Sequence, residues 1–163
     1  YKMKKIITLT LALFLVGATF GQLPSNVTIK DMDGNSIDIS KLNNGGKPMI
    51  ISFWATWCKP CKEELNAIAE EYDDWVDETG VKLVAVSIDD VRSTGRVEPY
   101  VNQQAWDYQV LLDPNGDLKR AMNVNNVPHT FLVDGSGKIV WDHNNYAAGD
   151  EKEIQEELLK INK

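Results

Sequence analysis

Residues 48–65, PMIISFWATWCKPCKEEL, decide the fold, because they pass from a continuous apolar run through two cysteines into an amphipathic segment. The run Pro48–Ala55 has the composition of a strand buried on both faces of a parallel sheet. Pro60 sits where a first helical turn tolerates a missing N–H, and Leu65, Ile68, Ala69, Tyr72 and Val76 recur at helical spacing. The spacing predicts a helix over 60–77. VKLVAVSI, 81–88, is the next buried strand, so strand, helix and strand form a right-handed βαβ unit.

Outward from this unit, VTIKDMDGNSIDIS offers two alternating segments around Asp33-Gly34, which predicts a β-hairpin over 27–39. Downstream, residues 95–105 read as helix, 110–112 as a short strand and 117–122 as a brief helix after the DPNG turn. HTFLVD and KIVWDH, joined by GSG, read as a second hairpin. A final helix has Asp150 as its cap, Glu153 in capping-box position, and Ile154, Leu158 and Ile161 as its buried stripe. The expected class is α/β: one domain, a central mixed sheet with helices on both faces and an N-terminal β-hairpin.

The first 21 residues stand apart from that domain. Lys2, Lys4 and Lys5 precede the apolar run Ile6–Phe20, and small residues lie near its end, the order of a secretory signal. Thr8, Thr10 and Thr19 dilute a run already shorter than the roughly 20 apolar residues of a spanning helix. The expectation is residues 1–21 as a signal peptide cleaved near Gly21-Gln22, with an uncleaved membrane anchor as the alternative, and residues 22–163 as the folded domain. Without the leader, 14 Lys and Arg face 24 Asp and Glu, a net charge of −10. Nucleic acid is disfavoured as a partner, since phosphate neutralisation needs a basic face.

Cys58 and Cys61 are the only cysteines. As a staple their disulfide would close so short a loop that it adds little stability. A zinc site needs about four ligands, and His129 and His143 are too far apart for finger-type spacing. Haem attachment needs histidine directly after the second cysteine, where this chain has Lys62. The redox reading fits the context better. Cys58 falls at a strand-to-helix junction, where free N–H groups and the helix dipole favour a thiolate. Cys61 follows within about one turn, placed to resolve a mixed disulfide on Cys58.

With Trp57-Cys58-Lys59-Pro60-Cys61 after SFWAT, the chain resembles the thioredoxin superfamily, and in particular its periplasmic TlpA/ResA-type thiol-disulfide oxidoreductases. Val127-Pro128-His129-Thr130-Phe131 is similar to the family's cis-proline loop. The resemblance implies a thioredoxin-like fold, Cys58 and Cys61 as the catalytic pair, a cis Pro128, Val127 as the residue whose backbone docks substrate, and Trp57 as part of the docking surface. It implies an acid at Glu64 that assists proton transfer or tunes the thiols; Lys59 and His129 are further candidates for tuning. It implies no organic cofactor, disulfide-containing protein substrates such as those of cytochrome c maturation, a membrane-bound thiol electron donor, and a periplasmic or otherwise extracytoplasmic location. Two departures stand out. Ser52 occupies the place of the buried aspartate of cytosolic thioredoxins, and Asn66 the place of a helix-kinking proline, so the helix is expected to run straighter. Two rival functions share the fold: a copper(I) carrier using the thiolates and His129, and a thiol peroxidase, whose usual Pro-x-x-x-Thr/Ser-x-x-Cys context is missing here.

Overall fold

The computed structural model describes residues 21–161. The predicted leader lies outside the described residues except for Gly21, whose carbonyl accepts the Ile139 N–H at 3.0 Å while Gln22 bridges Lys138. Gly21 therefore already takes part in the fold, one residue ahead of the expected boundary.

Seven strands form one sheet: β1 (Thr28–Asp31), β2 (Ser36–Asp38), β3 (Met49–Trp54), β4 (Lys82–Ser87), β5 (Gln109–Leu112), β6 (His129–Val133) and β7 (Ile139–Asn144), in the order β2-β1-β5-β4-β3-β6-β7. β3, β4 and β5 are parallel; β1, β6 and β7 run antiparallel to their neighbours. Every residue of β3 is buried, as its apolar run predicts. Its alternation divides the core: Ile50 and Trp54 face one layer, Met49, Ile51 and Phe53 the other.

The first layer is built by α1 (Lys59–Thr79), α2 (Val97–Gln104) and α4 (Glu151–Ile161), through Leu65, Ile68, Trp75, Val101, Ile154 and Leu158. α1 and α2 share a face because β3, β4 and β5 step in one direction and right-handed crossovers then fall on one side. The return from β5 to β6 crosses the opposite face and carries α3 (Asp117–Ala121), whose Leu118 packs with Phe53, Val86 and Leu111.

α1 is one uninterrupted helix of 21 residues, closed by Gly80 at φ 68° with its N–H on the Val76 carbonyl at 2.7 Å. Its buried stripe runs through Cys61, Leu65, Ile68 and Trp75, whereas Val76, expected on that stripe, is exposed. Glu64 and Thr79 are buried as well, which shifts the middle of the stripe so that, at about 100° per residue, position 75 lies roughly 30° from it and position 76 roughly 70°. α4 also departs from expectation. The Asp150 carboxylate turns back to the Ala147 N–H at 2.7 Å, and the Glu153 N–H is taken by the Asp150 carbonyl, so no capping box forms. One close approach requires glycine: a Cβ on Gly135 would meet the Gly46 carbonyl oxygen at 1.9 Å.

Candidate active site

The site grows from the junction of β3 and α1. The Cys58 N–H bonds the Ala55 carbonyl at 3.0 Å, forming a turn that lifts Trp57 to 62% exposure and leaves Cys58 as the helix N-cap. Cys58 Sγ accepts the Cys61 N–H at 3.3 Å, so a helix-terminal donor already points at the leading sulfur. Cys58 and Cys61 are joined as a disulfide with Cα atoms 5.4 Å apart; Cys61 is wholly buried, Cys58 6% exposed. The second loop arrives from β6. The Val127-Pro128 bond is cis, and the Val127 carbonyl oxygen lies 3.7 Å from Cys58 Sγ.

Glu64 occupies the next turn of α1 beyond Cys61 and is buried in the layer between helix and sheet. Its Oε1 meets the Thr130 hydroxyl, while Oε2 is buried with no hydrogen-bond partner among the described residues. Thr130 in turn lies 3.0 Å from Ser52 Oγ, its cross-strand neighbour. Burial pushes the Glu64 carboxyl up to about 7, the Thr130 hydroxyl and the nearby Ser52 hydroxyl oppose that rise, and the charge of Asp150 adds to it. One hydroxyl proton serves one acceptor at a time, so the chain Ser52, Thr130, Glu64 has two directions. With Glu64 ionised, Thr130 donates to it; with Glu64 protonated, the carboxyl donates to Thr130, whose proton turns to Ser52. Ser52 is thus the far end of this chain, and the buried carboxyl of the layer comes from α1 at Glu64.

Lys59 and His129 stand elsewhere. Lys59 reaches into solvent and pairs with Glu63 at 3.4 Å. His129 alternates onto the sheet face opposite Thr130 and Glu64, where it stacks on Phe131 and its Nε2 meets Asp142 Oδ2 at 2.9 Å. Asn66 lies within the uninterrupted α1; its Oδ1 accepts the Trp106 indole N–H at 2.9 Å, and Trp106 packs edge-on to Trp54 beside the site. Sequence reasoning missed Thr130, a polar residue in an otherwise apolar strand, which is the signal that could have found it.

Two cysteines at a helix start, facing a cis-proline loop over a buried carboxyl, form a dithiol exchange site. Residues 21–142 match the AhpC/TSA family over most of the chain. The chain belongs to that family. Within the AhpC/TSA family it is similar to the thiol-disulfide oxidoreductase ResA of Bacillus thuringiensis subsp. konkukian, 30% identical across 86% of this chain and 76% of the relative. Among solved structures it is similar to an uncharacterized thioredoxin-like protein from Porphyromonas gingivalis, with 52% identity, a TM-score of 0.78, and coverage of 88% of this chain and 93% of the other. StoA from Bacillus subtilis follows at 26% identity and a TM-score of 0.61, over 80% of this chain and 95% of that one. This AhpC/TSA member has the thioredoxin-like fold and is a thiol-disulfide oxidoreductase of the ResA type, acting on disulfide-containing protein substrates.

Proposed function

We propose that this oxidoreductase is an extracytoplasmic reductant of partner proteins, with Cys58 as the attacking and Cys61 as the resolving residue. The Cys58 thiolate attacks one sulfur of the partner's disulfide, and the partner's other sulfur leaves as a thiolate that takes up a proton. Cys61 then gives its proton to the Glu64 carboxylate and attacks Cys58 Sγ. The partner's remaining thiolate departs, and the Cys58–Cys61 disulfide forms. Two electrons pass from the enzyme's dithiol to the partner, and a membrane-bound thiol donor restores the dithiol. Trp57, Val127 and Pro128 form the surface on which the partner's chain is laid.

The observation that carries this reading is a buried carboxyl at Glu64, one helical turn from the resolving cysteine, with a proton affinity brought close to neutrality. The order of basic and then apolar residues in 1–20 supports the location, and fractionation of cells carrying the full chain tests it. Reduction of a protein disulfide such as insulin by the dithiol form tests the chemistry. Cys58→Ala abolishes it, and Cys61→Ala accumulates a mixed disulfide with the substrate. Equal rates for wild type and Cys58→Ala would refute the assignment of roles.

A further inference from the structure

β3, β6 and β7 set three polar side chains in one row across the sheet. Ser52 pairs with Thr130 and Thr130 with His143, so all three share the face that carries Glu64. Ser52, Thr130 and Glu64 are buried, whereas the His143 side chain, on the edge strand, is one quarter exposed. The row begins beside a buried carboxyl and ends at a residue that solvent reaches.

Both ring nitrogens of His143 face acids at the start of α4. Nε2 lies 3.5 Å from Asp150 Oδ2 and Nδ1 3.8 Å from Glu153 Oε2, while the ring stacks on Trp141. These separations are too long for hydrogen bonds, and the imidazolium, with a proton on each nitrogen, meets both acids through charge. Asp150 is held in place by its bond from the Ala147 N–H, and the same loop is tied to the cis-proline turn, where the Asn145 N–H reaches the Pro128 carbonyl at 2.9 Å. Other groups also face Glu64. Cys61, on its own helix, is held in the disulfide. Tyr108 and Tyr146 lie within reach of its charge, but burial raises both phenols, so neither is ionised near neutrality. Glu151 is engaged by the Tyr146 hydroxyl and the Gly149 N–H. After burial, Asp150 is the charge that favours the proton-bound form of Glu64.

We propose that Asp150 and His143 are positioning residues for the resolving step, acting through Glu64: the Asp150 charge keeps the proton on the carboxyl, and a charged His143 cancels that hold and frees the carboxylate to accept. The inference rests on Glu64 as the acceptor of the Cys61 proton. No bond is made or broken between the pair and Glu64; the coupling is by field alone. Histidine is the side chain that ordinarily changes charge around neutrality. Protons on His143 and Glu64 therefore oppose each other, and Glu64 titrates over a wider span of pH than an isolated carboxyl. Cys61 finds an ionised acceptor across that wider span.

The test follows Glu64 by NMR of its carboxyl carbon in the disulfide form of the full chain, where neither cysteine titrates. Asp150→Asn keeps an oxygen for the Ala147 N–H, removes the charge, and moves the Glu64 midpoint down by about half a pH unit. His143→Gln leaves Asp150 uncompensated and moves the midpoint up by a similar amount. Opposite signs are the signature, since a loosened structure that admits water would lower the midpoint in both variants. Asp142→Asn removes a charge next to His143 in the chain but on the other face, where it pairs with His129, and leaves the midpoint in place. In the reduced protein, single-turnover release of thiol from a disulfide-bonded peptide, measured across the neutral range, follows the same two displacements. Midpoints that move together, that stay at the wild-type value, or that answer equally to Asp142→Asn overturn the pair. Glu64→Gln separates this inference from the reading beneath it. Release at the wild-type rate by that variant would remove Glu64 as the acceptor, and the role of the pair with it. Slow release by Glu64→Gln together with unmoved midpoints would leave Glu64 in place and overturn the pair alone.

Discussion

The two oxygens of Glu64 live in different circumstances, one met by a hydroxyl and one buried with no hydrogen-bond partner among the described residues. A carboxyl so placed favours the proton-bound form, and this has a thermodynamic consequence with a definite sign. Its folded-state pKa of about 7 exceeds the ordinary 4.5, so between those values the native state holds more proton than the unfolded chain. The stabilisation is full below about pH 4.5 and is lost as pH rises through 7, a swing of roughly 3 kcal/mol at about 1.4 kcal/mol per unit. Urea unfolding at pH 5 and pH 8 checks this: Glu64→Gln flattens the difference, and an equal pH dependence in both proteins would contradict it. Removing the donor in Thr130→Val moves the Glu64 titration further up, read by NMR of the side-chain carboxyl carbon. Glu64 itself was legible from the family resemblance, which implies an acid at that place. Thr130 was not, because its relation to Ser52 is set by strand register, which no local pattern encodes.

Elements were more legible than the contacts that hold them. Every expected strand and helix is present, since apolar runs and helical spacing report burial directly. Apart from Val76, the misplaced details are polar ones. The end of α4 uses Asp150 backwards, and the start of α3 is capped from a distance: the buried Asp113 carboxylate takes the N–H groups of Asp117 and Leu118 on Oδ1 and of Lys119 on Oδ2. Asp113→Ala strands those three donors and is expected to cost about 1–3 kcal/mol, the range for unmet buried groups. Chemical denaturation measures it; a loss below about 0.5 kcal/mol, the level of ordinary surface changes, would show that solvent satisfies them as well. Asn66 teaches the same lesson. Its identity announced a straighter helix, and only the fold reveals that its side chain fastens α1 to Trp106.

At the scale of the whole molecule, the disulfide spans too few residues to restrain the unfolded chain much, so any stability difference between oxidised and reduced protein reports how the native site treats the two states. A reductant is more stable when oxidised, and thermal unfolding with and without reductant is therefore expected to give the higher Tm to the disulfide form. Each 1.4 kcal/mol of difference corresponds to about 30 mV of potential. A higher Tm for the dithiol form would mark an oxidant and reverse the proposed direction. The attachment of Gly21 gives the molecule an orientation as well. Ile139, which it grips, lies near the Met49 and Val133 end of the sheet, while Cys58 follows the far end of β3. Gly21 thus sits at the pole opposite the reactive sulfur, which leaves the exchange face clear of the point where the described chain begins.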